Sequence, residues 1–194
     1  MKTRSVLRVG ALAALLTSFP VLPAAWAGDT ICFDAVTAGK IEAPMEIVAA
    51  SNAPVEFRDK IIKGVSGGTY LEIAQGKGNP PKMTAGMASY TIQIDEEGDY
   101  VLWCRTWWLD ECSNSFFINV DDANPFVFGE DSTLKTWHWV KAPSRLKQLT
   151  LAKGKHTLTI RNREDGVCLN QILLTHDKSY VPVDVEKVTT PSAH

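Results

Sequence analysis

ASYTIQIDEEGDYVLWCRTWW, residues 88–108, is the stretch on which the fold turns. In its first part Tyr90, Ile92 and Ile94 recur every second position, which places all three on one face of an extended strand. Glu97-Gly98 is a turn signal. Asp99–Trp107 is then rich in aromatic and aliphatic residues that fit a pleated surface. Strand, turn, strand is the unit predicted here, and the same unit recurs on both sides of it.

Upstream, Ile41–Val48 alternates, with Ile41, Ala43, Met45 and Ile47 on one face. A short strand is expected around Tyr70–Ile73, between two glycine-rich loops. Downstream, NSFFINVDD reads as a strand ending in an acidic turn, and KTWHWVKA as another strand. QLTLAKGKHTLTIRNRE reads as two strands around Lys153-Gly154, and VCLNQILLTHD as a last apolar strand. No segment carries a long amphipathic helix. Short strands at regular spacing with turns between them predict an all-β chain: a two-sheet antiparallel β-sandwich of jelly-roll type.

Residues 1–27 have a basic start (Lys2, Arg4, Arg8), a short apolar run and an Ala25-Trp26-Ala27 ending, the pattern of a secretory signal peptide. A secreted or periplasmic location is expected, with one domain over residues 28–183 and a flexible tail at 184–194. The signal takes three of the twenty basic residues and none of the twenty-two acids, so the remaining chain is mildly acidic. No basic run points to nucleic acid, and no second apolar stretch is long enough to span a membrane. Four cysteines in an exported chain are expected to form disulfides. Three pairings are open, and Cys104–Cys112 with Cys32–Cys168 is the one expected.

The order of the pieces carries a resemblance. IEAP, SGGTYLEI, ASYTIQIDEEGDYVLWCRTWW, NSFFINVDD, TWHWV, LAKGKHTLTIRNREDG and CLNQILLTHDKSYVP follow one another over about residues 31–182. This succession is similar to that of carbohydrate-binding modules of families 6 and 35, which are galactose-binding-domain-like β-sandwiches. The resemblance implies noncovalent sugar binding by loops at one end of the sandwich, and a calcium ion tying the first strand to the last. Glu42 matches the first acid of the usual E-A-E, Pro44 replaces the second, and Asn170 stands where a closing Asp is usual. Glu72 is a further candidate ligand, so the calcium set is Glu42, Glu72 and Asn170. Cys168 stands near the place of a sugar-contacting Asn.

Sugar recognition needs a flat aromatic face and a few directed polar groups. The candidates are Trp107, Trp108, Asp110, Asn114, Trp137 and Arg163. Trp107 and Trp108 are adjacent and point to opposite faces of a strand, so at least one is expected to be exposed or covered only by a loop. Trp137 and Trp139 share a face, with Trp139 packed and Trp137 nearer the binding edge by the resemblance. The Arg163 guanidinium would suit a carboxylate, hence an acidic sugar. A Cys104–Cys112 bridge would brace residues 107–111 as an aromatic-tipped loop at the rim. The acids cluster in turns, and no pair stands out with the spacing a glycosidase requires.

The expected function is therefore non-catalytic carbohydrate binding by a secreted single-domain module. The alternatives are a structural or adhesion protein of the cell envelope, partnered with another secreted or envelope protein, and a lyase or hydrolase on the same scaffold.

Overall fold

A computed structural model describes residues 30–78, 86–143 and 149–189. These form twelve strands in two antiparallel sheets. The five-stranded sheet runs β2 (Lys40–Glu42), β5 (Met87–Ile94), β11 (Gly154–Asn162), β7 (Ser115–Val120), β8 (Phe126–Gly129). In the seven-stranded sheet β6 (Gly98–Trp108) and β12 (Val167–Thr175) lie side by side at the centre. β9 (His138–Lys141) and β10 (Leu149–Leu151) continue beyond β6. β1 (Ile31–Asp34), β4 (Thr69–Ile73) and then β3 (Met45–Ala49) continue beyond β12.

The two-residue period decides what each sheet buries. Tyr90, Ile92 and Ile94 of β5, Leu158 and Ile160 of β11, and Phe116 and Ile118 of β7 point inward. They meet Tyr100, Leu102, Cys104 and Trp108 of β6 and Leu71 and Ile73 of β4. In β12 a bulge between Leu169 and Gln171 moves the inward set from Val167 and Leu169 to Ile172 and Leu174. That shift explains why VCLNQILLT reads as an unbroken apolar run.

The Glu97-Gly98 turn does not close a hairpin within one sheet: it carries the chain from β5 across to β6. The strand expected over Ile41–Val48 is likewise two strands. Pro44 lacks the N–H a ladder needs, and the chain passes there from β2 in one sheet to β3 in the other.

The outer face of the seven-stranded sheet is covered by two irregular segments. One is residues 50–65, including α1 (Arg58–Gly64), which lays Ala53, Phe57, Ile61 and Val65 over Tyr70, Trp107 and Cys168. The other is the chain beyond β12. Tyr180 packs over Cys32, Trp103 and Leu173. Glu186 N–H donates to Gln171 Oε1 at 2.9 Å, and Gln171 Nε2 returns a bond to the Glu186 carbonyl at 3.0 Å. Thr189 N–H donates to the Cys32 carbonyl at 2.8 Å. The expected flexible tail is thus anchored over 184–189, while residues 190–194 and the signal segment 1–27 lie outside the described residues. Among the described residues no helix is long and apolar enough to cross a membrane.

The expected disulfides do not form, because all four cysteines are free thiols. Cys32 lies opposite Leu173, five residues along β12 from Cys168. That is about 16 Å of strand, against the roughly 7 Å that two bridged Cα atoms can span. Cys104 points into the core level with Ile172, whereas Cys112 is exposed in the turn beyond Trp108. Burial pushes the Cys104 thiol well up and holds the Cys32 thiol at about 12, with Glu186 and Asp34 adding to the latter. Thiol titration of the unreduced protein should count four thiols after denaturation. In the native state only Cys112 should react quickly; a count of two or fewer after denaturation would contradict the structure.

At the turn after β7, His156 Nδ1 lies 2.7 Å from Asp121 Oδ2, and its Nε2 lies 2.8 Å from the Ala152 carbonyl. The bond to Asp121, then that to Ala152, raises the His156 pKa. Asp121 is lowered, because the Thr157 N–H and His156 outweigh its burial. The His156 contribution is present below its unfolded value near 6.5 and is lost as pH rises through the folded one. The Asp121 contribution is present above about 3.9 and is lost as pH falls through its folded value. This corner should therefore stabilise the fold most between about pH 4 and 6.5, by roughly 1 kcal/mol or less since Asp121 is half exposed. Urea midpoints of His156→Gln should lose the decline that wild type shows from pH 6 to 8.

Candidate functional site

Trp107 and Trp108 point to opposite faces of β6, as adjacent strand residues must. Neither is exposed, at 2% and 0%; of the two alternatives expected for one of them, exposure or cover by a connecting segment, the structure gives cover, with residues 50–65 lying over Trp107. Trp108 packs on Phe116 with ring centroids 5.1 Å apart, and its Nε1 donates to Asp131 Oδ2 at 2.9 Å. Gly129 permits this packing: its φ of 105° is left-handed, and a Cβ there would lie 2.2 Å from the Asn114 carbonyl and 3.1 Å from the Trp108 ring. Trp107 packs on Phe57 and Trp137, at 6.0 and 5.9 Å.

The outer face of the sheet is an aromatic strip with cations set into it. Trp103, Arg105 and Trp107 follow one another at period two on β6. Across the strand pair Lys141 faces Trp103, and Trp139 faces Arg105. Lys141 Nζ lies 5.5 Å from the Trp103 ring centre, and Arg105 Cζ lies 5.5 Å from that of Trp137. Trp137 and Trp139 are the half-buried rings of the strip. Each is pinned by its indole N–H, Trp137 to the Ile61 carbonyl at 3.3 Å and Trp139 to the Asp184 carbonyl at 2.8 Å.

Beside this strip, loops from both sheets form a polar rim. Asp110 Oδ1 accepts from the Cys112 N–H at 2.9 Å. Asn114 donates its side-chain amide to the Asp131 carbonyl and its backbone N–H to Glu164 Oε2, both at 3.0 Å. Arg163 donates to Ser115 Oγ, to Glu164 Oε1 at 2.6 Å, and pairs with Glu130 at 3.2 Å. Two acids already match its guanidinium, so the acidic-sugar reading of Arg163 is not carried by the geometry. Asp131 is somewhat buried, but donation from Trp108, Thr133 and His138 holds its carboxyl below the usual range.

The structure thus brings Asp110, Asn114 and Arg163 to one rim and sets Trp108 beneath it through Asp131. It places Trp107 and Trp137 together on the neighbouring outer face. The two groups meet where Lys135 N–H donates to the Trp108 carbonyl at 2.8 Å. Sequence reasoning missed Arg105, Asp131 and Phe57. Arg105 was visible as a lone charge in an apolar strand, and Phe57, Ile61 and Val65 recur every four residues.

The expected calcium set is not assembled. Glu42 lies on β2 in the five-stranded sheet, paired with Lys40 at 2.7 Å. Glu72 lies on β4 opposite Glu46, and burial and then the Glu46 charge raise its carboxyl. Asn170 sits fully buried at the β12 bulge with its amide already hydrogen-bonded. Calcium needs six to eight converging oxygens, and these three residues do not fit it. Among the described residues no three His, Cys, Asp or Glu side chains gather to hold a metal.

No protein-family model and no curated protein matches the chain. Solved structures do. The C-terminal family 6 carbohydrate-binding module of a marine laminarinase from Zobellia galactanivorans aligns with 76% of this chain and 99% of its own (TM-score 0.50, 16% identity). A family 35 carbohydrate-binding module from Clostridium thermocellum aligns with 75% of this chain and 97% of its own (TM-score 0.52, 14% identity). The fold is that of a carbohydrate-binding module. The exo-β-1,3-galactanase of Phanerochaete chrysosporium also matches (TM-score 0.52, 13% identity), but the chain spans only 29% of that enzyme's length.

Within this module fold Trp108 is a core residue and Trp137 a surface one, which unfolding experiments separate. Trp108→Ala should cost about 3–5 kcal/mol in urea unfolding. Trp137→Ala should cost less than half of that, because part of its ring already faces water. Equal losses would place Trp137 in the core.

Proposed function

We propose that this chain is an exported, non-catalytic carbohydrate-binding module. The observation that carries the reading is the match over nearly the whole length of two separate modules of that kind. The site favoured is the junction of rim and outer face. Trp137 offers a half-buried ring fixed at its edge, suited to the C–H side of a sugar, and the rim beside it offers hydroxyl partners. With Arg163 already neutralised, a neutral polysaccharide is the ligand class the site favours. The rim acids act as caps and ion-pair partners of their own loops, so catalysis forms no part of the proposal. Export rests on the signal pattern of residues 1–27.

One observation favours a second reading, an envelope or adhesion protein without sugar binding. Asp110, Asn114 and Arg163 are all engaged by the protein itself, and Cys168 is buried under the 50–65 segment.

A glycan array followed by calorimetry on the purified protein separates the two. The module reading expects binding to at least one neutral polysaccharide, weakened about tenfold or more in Trp137→Ala, the loss of roughly 1.4 kcal/mol or more. A folded protein that binds no glycan supports the second reading. A binder indifferent to Trp137→Ala moves the site elsewhere.

A further inference from the structure

The misfit of the calcium set has a counterpart in the fold. Asn170, the residue that would have offered an oxygen to the ion, has its Oδ1 filled by the Ser66 N–H at 3.0 Å and by Arg105 Nη1 at 3.1 Å. Its Nδ2 faces the Ser66 and Thr69 carbonyls at 3.4 and 3.3 Å. The carbonyl oxygen of an amide has two lone pairs, and both are used. Arg105 Nη1 also donates to the Gly64 carbonyl. At 4% exposure Arg105 is a buried residue, yet among the described residues its guanidinium has no carboxylate within ion-pair distance. Burial disfavours its charge, and the main opposing influence is Asp184 on the covering tail. Its surroundings are a backbone carbonyl, an amide oxygen and the face of Trp137, the neutral oxygens and π-electrons that a buried cation collects.

We propose that Arg105 supplies from within the chain the cation that ties the closing strand to the segment before β4, so that the module needs no metal there. A divalent ion within reach of Asn170 would lie beside a guanidinium that stays charged at any ordinary pH, and the repulsion closes the position to it. The same side chain joins three parts: the C-terminal end of α1 through Gly64, the β12 bulge through Asn170, and the ring of Trp137. Arg105 is thus a positioning residue for Trp137, a part of the inference that rests on the carbohydrate-binding reading; the metal-independent tie does not.

Thermal melts of the purified protein in calcium and in excess EDTA test the tie. Wild type should melt within about 1 °C in both. Arg105→Gln should lower Tm by roughly 5–10 °C, since it removes a buried charge-assisted tie, with Arg105→Lys between the two. A calcium-induced rise of several degrees in wild type, or an unchanged Tm in Arg105→Gln, overturns the proposal. If Arg105→Gln fails to fold, Arg105→Lys carries the test through the same comparison. For positioning, Arg105→Lys should weaken binding of whichever glycan wild type takes by about fivefold and change the tryptophan emission at a temperature where both proteins are folded. Unchanged affinity and emission overturn that role. Wild type that binds no glycan but melts as described refutes the functional reading and leaves the internal cation standing.

Discussion

Pairing of β6 with β12 is the constraint around which the rest is arranged. The two strands run antiparallel from Val101 opposite Thr175 to Trp108 opposite Val167, and almost every residue in both is buried. A strand buried on both faces must have a layer on each side of its sheet. The five-stranded sheet supplies one. The other is built from residues 50–65, which carry a short 3-10 turn and α1, and from the chain after β12, which has no strand or helix among its described residues. The domain is therefore a sandwich with a third, partial layer, and its aromatic strip lies between the second layer and the third.

This arrangement explains the contrast between the two sets of polar groups. At the rim, carboxylates and amides cap loops that enter from both sheets, and each acid there fixes a turn. Asp131 alone receives Trp108, Thr133 and His138. On the outer face the polar groups are few and sit among rings, where a charge costs more and each hydrogen bond is worth more. Rigidity at the rim comes from many modest contacts, and on the outer face from a few concentrated ones.

What could be read from the sequence depended on how many faces a strand shows to water. β5, β7 and β11 belong to a sheet with one wet face, so their alternation was plain. β6 and β12 belong to the sheet covered twice, so they read as apolar runs without a face. One of Trp107 and Trp108 was expected in the open or under a loop for that reason. The covering segments were hidden because their apolar residues are spread thinly: Ala53, Phe57, Ile61 and Val65 in one, Tyr180 in the other. The alternation from Ile41 to Ile47 was real as a pattern but crossed Pro44, where the chain changes sheets and a shared face loses its meaning. The cysteine pairing followed from the compartment and from spacing along the chain, and strand register decides which thiols can meet. Of the candidate sugar residues, Asp110, Asn114 and Arg163 share the rim while Trp107 and Trp137 lie on the outer face, and the cation beneath Trp137 was overlooked because its partners, Gly64 and Asn170, are distant in sequence and carry no charge.

The bonds between Thr189 and Cys32 join the first described strand to the last described residue. Both ends of the domain consequently emerge side by side from one corner. Tension between them would load the Thr189–Cys32 contacts and the short β1–β12 ladder in sequence, as a zipper is loaded, rather than all strands at once. The domain would begin to open by peeling at β1 and the tail, at low force, while the paired centre of the sheet stayed closed. A chain tethered at both ends would in this way yield at its margin before it yields at the aromatic strip.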